Sequence, residues 1–291
     1  MPLEEKIRSG AFVVLGEFEP PKGADFSPLL AKANLVRGRL DAVVVPEMAH
    51  AVLKASSLGG CAFLERHGFE SIFQVCPRDR NRLALQADIL SAAALGIKNI
   101  MAVPGEDIRY GDHYQARPVN DLDLMELVEA IHYLKSGKDM AGIMLSEPSH
   151  LCVGSSIDLG ASGKFLELEL DQLKEKIRLG VQFIITSPVF DTHQLRQFMK
   201  RIEGIQVAVI PTVLLLKSVG MARYVNQNIP NITIPPELIR SIQKAPDKPG
   251  QCLKIAGQLV SQLKELGMNG VMISMAGWED KLPQILDEAG I

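Results

Sequence analysis

The sequence predicts one α/β domain of the (β/α)8 barrel class, spanning residues 1–291. Three observations carry this. Eight apolar runs of strand length recur along the chain. Helix-patterned segments separate them, and strand–helix alternation builds a parallel sheet. A barrel of this class takes roughly 250 residues, so the 291 residues hold one. A doubly wound open sheet is the runner-up; no GxGxxG opens the first helix, as many such folds require.

The strands follow in order. "FVVLGEF" (Phe12 to Phe18), "LDAVVV" (Leu40 to Val45), "SIFQVC" (Ser71 to Cys76) and "KNIMAV" (Lys98 to Val103) come first. Two runs compete for the fifth place, "AGIMLS" and "LCVGSS", between Ala141 and Ser156. "QFIITS" (Gln182 to Ser187), "IQVAVIP" (Ile205 to Pro211) and "NGVMIS" (Asn269 to Ser274) complete the set. Most lack polar alternation, as strands buried on both faces should.

Helices are expected over Arg80 to Gly96, Phe165 to Gly180, Asp191 to Gly204 and Ala256 to Gly267. Each has apolar residues at helical spacing and ends on Gly, and Asp191 is suited to cap its helix. Two connections are long. One is "GEDIRYGDHYQARPVNDLD", after the fourth strand. The other, "QNIPNITIPPELIRSIQKAPDKPG", reads as an extra turn or helix on the rim.

Composition narrows the function classes. Lys and Arg total 31 against 34 Asp and Glu, a formal charge of −3. Nucleic acid, which calls for a concentrated basic surface, is not an expected partner. Nor is a membrane, because no stretch reaches ~18 apolar residues. The N-terminus lacks a signal-peptide layout. Cys61, Cys76, Cys152 and Cys252 are far apart, without CxxC spacing, which fits a reducing cytoplasm. The six histidines show no metal-ligand spacing. No catalytic metal is expected, although an acid-rich rim is a setting that suits magnesium.

Strand ends are where a barrel keeps its chemistry. Here they carry Glu17, Glu19, Glu47, Asp79, Glu106, Asp107 and Asp158. Glu17 and Glu19 alternate and so share a face. Burying them unpaired against helices is costly. Facing the cavity is cheaper, and desolvation there raises a carboxyl pKa toward general-acid work. The alternative is a rim acid paired with Lys22 or an arginine. "CPRDRN" places Arg78, Asp79, Arg80 and Asn81 at a strand-to-helix turn. Arginine forks match phosphate oxygens there; the other reading is a network in which Asp79 caps the helix and pairs with Arg82. Trp278 follows the last strand, suited to stacking on a planar ligand or to packing on the rim.

"EFEPPKG", "CPRDRNRLALQADILSAAALGIKNI", "YGDHYQARPVNDLD" and "ITSPVFD" together resemble the methylenetetrahydrofolate reductase family, in its short bacterial branch. The resemblance runs in order to the C-terminal "GWEDKLPQILDEAGI". It implies a (β/α)8 barrel holding a flavin, FAD with FMN as the alternative. It implies reduction of a methylene-tetrahydropterin to the methyl form, in one-carbon metabolism. The family's proton-donating acid falls on Glu17. Flavin contacts fall on Arg78, Asp79, Arg80, Asn81, Gly105, Tyr114, Ala116, Gly154, Ser155 and Lys176, with Lys176 meeting a phosphate. The family's catalytic Asp after the fourth strand falls on Glu106 or Asp107. Substrate contacts fall on Glu19, Ser187 and Pro188, with Ser187 where the family has a pterin-holding Gln. The electron donor implied is NAD(P)H or ferredoxin, in a homo-oligomer or with a partner subunit. Two other functions compete: an electron-relaying subunit of a larger complex, and a corrinoid-linked methyl-pterin methyltransferase.

Overall fold

The computed structural model describes all residues, Met1–Ile291. Eight parallel strands close into one barrel in sequence order. They are β1 (Val13–Glu17), β2 (Ala42–Val45), β3 (Ser71–Val75), β4 (Asn99–Ala102), β5 (Cys152–Ile157), β6 (Phe183–Pro188), β7 (Ala208–Leu214) and β8 (Gly270–Ser274). The helices are α1 (Leu3–Ser9), α2 (Ser27–Asn34), α3 (Ser57–Arg66), α4 (Arg82–Ala94), α5 (Leu124–Lys135) and α6 (Lys164–Arg178). Then come α7 (His193–Arg201), α8 (Val219–Asn228), α9 (Pro236–Lys244), α10 (Lys248–Glu265) and α11 (Leu282–Glu288). None is long and apolar enough to cross a membrane.

Alternation along each strand divides the core in two. Val13, Leu15, Val44, Ile72, Met101, Phe183, Ile185, Ile210 and Met272 fill the bore. Val14, Val43, Phe73, Ile100, Val153, Ile184, Val209 and Ile273 face the shell of helices. α1 stoppers the lower end, with Leu3 and Ile7 packed on the bore residues. Its Leu3 N–H donates to Glu70 at 3.0 Å, and its Glu4 accepts from Gln182 at 3.1 Å. The bore is therefore apolar and closed below by α1.

Two sequence expectations are refined here. The fifth strand is "LCVGSS"; "AGIMLS" lies in a hairpin outside the sheet, bridged antiparallel through Lys138 and Met144. β7 begins at Ala208, three residues after Ile205. The long segment before the last unit does form a helix, α9, set between α8 and α10. All four cysteines are free and buried. Desolvation pushes the Cys61 and Cys152 thiols up to about 12 and Cys76 to about 11, so they stay protonated and inert.

Candidate active site

Glu17 ends β1 on the same face as Val13 and Leu15, so its carboxyl heads the bore. Parallel pairing sets it beside Ser274, the last residue of β8. Ser274 Oγ donates to Glu17 Oε1 at 2.7 Å. Burial is the strongest influence on this acid and raises its pKa. The Ser274 bond pulls it down, Glu19 and Glu106 raise it, and His50 lowers it. The outcome is an acid that binds its proton more tightly than an ordinary glutamate, which is what proton donation near neutral pH requires.

Past the strand, Glu19 pairs with Lys54 at 3.1 Å, while Lys22 pairs with Asp112. Asp112 also accepts the Leu53 N–H at 2.9 Å and contacts His113 at 2.8 Å. One carboxylate thus ties together the loops after β1, β2 and β4, and Lys22 and His113 hold it well below the usual range. The β2 loop has Met48, His50 and Ala51 at positive φ (45°, 57° and 55°), a conformation that non-glycine residues rarely adopt. Gly111 packs so closely that a Cβ there would lie 1.9 Å from the Ala51 carbonyl oxygen. This holds His50 at the rim, its Nδ1 3.8 Å from Glu106.

The two acids after Gly105 separate cleanly. Glu106 faces His50 and acts on Glu17. Asp107 turns outward, caps its own short turn and grips Arg109, which holds its pKa at about 2. Of the two, Glu106 is the acid whose charge reaches Glu17.

The arginines of the "CPRDRN" turn are each paired with carboxylates. Arg78 donates through Nε and Nη2 to Asp79 at 2.7 and 2.6 Å, and through Nη1 to the Glu106 carbonyl at 3.0 Å. Arg80 donates to Asp88 at 2.5 Å. Its Nη2 lies 3.0 Å from Glu47 yet makes no aligned hydrogen bond. The cap of α4 is Asn81, which accepts the Ala84 N–H at 3.0 Å, and Arg82 pairs with Asp121. The reading in which Asp79 caps the helix and pairs with Arg82 is therefore corrected, because Arg78 takes both oxygens of Asp79.

Three residues expected to contact flavin have the following surroundings. Lys176 is 2% exposed. Its ammonium donates to the Ser156 carbonyl at 2.9 Å, between α6 and β5. Ser155 is buried on the shell face and donates to the Ala102 carbonyl at 3.0 Å. Gly154 faces the bore, where a Cβ would lie 2.2 Å from the Phe183 ring. Its smallness makes room for Phe183. Tyr114 and Ala116 are exposed on the β4 loop. Gly105 turns at φ 77°, over Cys76 and Arg78.

Ser187, at the irregular end of β6, is occupied. Its Oγ accepts the Leu159 N–H at 3.1 Å and donates to Asp158 at 3.2 Å, while Asp158 accepts from Asn231 at 2.7 Å. Pro188 continues β6 beside Thr212, after a register irregularity.

Sequence reasoning passed over Ser274, Gln74 and His50. Gln74 is an inward amide at the end of β3; its Oε1 accepts the Glu47 N–H at 3.1 Å, and its Nε2 has only the Met101 thioether, at 4.0 Å. The alternation of β3 and β8 carried the signal for Gln74 and Ser274. Nothing in the sequence marked His50, whose place depends on backbone strain.

The fold and site define a (β/α)8 barrel with a desolvated carboxylic acid at the mouth. The chain belongs to the methylenetetrahydrofolate reductase family, whose model matches residues 2–289. Family membership implies an oxidoreductase. Among solved structures it is similar to a Clostridium thermocellum protein that binds two copies of 5-methyl-5,6,7,8-tetrahydrofolic acid. That match has 12% identity and a TM-score of 0.66, covering 99% of this chain and 97% of that one. It also resembles 2,3-dimethylmalate lyase, with 10% identity, a TM-score of 0.58, and 99% of this chain and 86% of that one covered. EDTA monooxygenase from Chelativorans sp. BNC1 matches with 11% identity and a TM-score of 0.57, over 96% of this chain and 94% of that one. At these identities the structural matches speak to the fold.

Proposed function

We propose that the chain reduces a methylene-tetrahydropterin to its methyl form, with a flavin as the hydride source. The observation that carries this is Glu17: a single acid, desolvated, pinned by one hydroxyl and aimed up the bore. Family membership supplies the substrate class. The Clostridium thermocellum relative, which binds the methyl form of the same carrier, agrees with it.

The chain's own residues carry the acid half of the reaction. Glu17 donates its proton to the bridge nitrogen of the substrate. The bond from that nitrogen to the methylene carbon breaks, its electron pair stays on the nitrogen, and a cationic iminium remains. The flavin, when bound, supplies a hydride to that carbon and completes the methyl group. Glu106, across the mouth, adds negative charge that favours a cation there. Gln74 presents its amide N–H group to a heteroaromatic edge.

The residues fit the ring end of a flavin better than its phosphate end. The mouth offers neutral donors and acceptors, but Arg78, Arg80 and Lys176 are each already engaged. That favours a second reading: a barrel that binds methyl-pterin without a resident flavin, as a corrinoid-linked methyltransferase would. An absorption spectrum separates the two. A yellow protein whose reduced form is reoxidised by methylenetetrahydrofolate supports the reductase. A chain that stays colourless after incubation with FAD and FMN excludes it.

A further inference from the structure

We propose that Ser274 is a positioning residue: its hydroxyl pins Oε1 of Glu17 and leaves Oε2 as the oxygen that carries and delivers the proton. The inference rests on the reductase reading for its catalytic meaning, although the geometry stands alone.

A protonated carboxyl has one carbonyl oxygen and one hydroxyl oxygen. The serine donates its proton to Oε1 at 2.7 Å, so in this arrangement Oε1 is the acceptor oxygen. Oε2 has no protein partner, so the acid's proton belongs there. The pin is rigid. Ser274 pairs with Glu17 on one side and Leu214 on the other, and its carbonyl accepts the Leu215 N–H at 2.9 Å. Groups held on strands keep their geometry better than groups on loops.

The charged groups facing Glu17 come from three elements: Glu19 beyond β1, His50 beyond β2 and Glu106 beyond β4. None of them bonds to Oε1, and β8 contributes only the hydroxyl. Removing it takes away the one hydrogen bond that favours the ionised form, so the Glu17 pKa must move further up.

The test compares the parent with Ser274→Ala and Ser274→Thr. Infrared titration of 13C-glutamate-labelled protein, with Glu17→Gln identifying the band, follows protonation without turnover. Ser274→Ala should shift the midpoint upward, and Ser274→Thr should keep it near the parent value. In pterin reduction, Ser274→Ala should lower kcat by about tenfold, the scale of one lost hydrogen bond to a charged group, with KM little changed and Ser274→Thr restoring it. An unmoved midpoint in folded Ser274→Ala overturns the proposal. So does a threonine variant that behaves like alanine. If the reductase reading itself fails, kinetics are silent but the infrared midpoint still decides the pin.

Discussion

Glu17 and Glu47 stand at the ends of neighbouring strands, and burial raises the pKa of both. Their surroundings differ: one acid is paired with a cation and the other is not. Glu47 is 3% exposed and turns to the shell. It accepts the Ser57 N–H at 2.9 Å and lies beside the Arg80 guanidinium, so a counter-charge offsets its burial. Glu17 turns to the bore and has a hydroxyl where Glu47 has a cation. The inner ring of strand ends thus keeps an acid under-compensated, while the outer ring neutralises its acids. A carboxylate is useful for chemistry where the fold has declined to pair it.

Substitutions in the two rings test that contrast. The largest stability effect belongs to the outer ring. Arg80→Ala leaves Glu47 buried without its cation, and removing one partner of a buried pair costs ~3 kcal/mol. Urea unfolding should show the loss, and an unchanged midpoint would mean that Glu47 needs no partner. Gly154→Val overpacks the bore against Phe183 and should cost ~1–3 kcal/mol by the same measurement. Exposed Asp107→Ala should lie within ~0.5 kcal/mol, as surface changes usually do.

The inner ring predicts the opposite sign. Burial raises the Glu17 pKa above its unfolded value, so the folded chain binds that proton more tightly. The stability it gives is present below the unfolded pKa and is lost as pH rises through the folded one. Glu17→Gln, which never ionises, should therefore be more stable than the parent at pH 8, with the gap closing toward pH 4. Thermal melts across that range check it. A variant less stable than the parent at pH 8 would show that Glu17 is paired after all.

The barrel was legible because buried parallel strands are continuous apolar runs and helices separate them. The fifth strand was ambiguous because "AGIMLS" has strand-like composition; its Gly142, at φ 81°, turns it into a hairpin instead. The ring of acids was legible too. Alternation and the family resemblance singled out Glu17; how each of the other acids is paired was not legible, since that depends on which face each strand end presents and which cation lies across from it. Arg78 and Asp79 are adjacent in sequence, yet only the fold shows that they satisfy each other. Lys176 lies in the last turn of α6, and only packing reveals that it is buried against β5.

The most direct test separates the two half-reactions in Glu17→Gln by stopped-flow. Reduction of the bound flavin should proceed at the parent rate. Transfer to methylenetetrahydrofolate should fall by ~10²–10⁴, the usual contribution of a general acid. Pterin reduction at the parent rate in this variant would contradict the account.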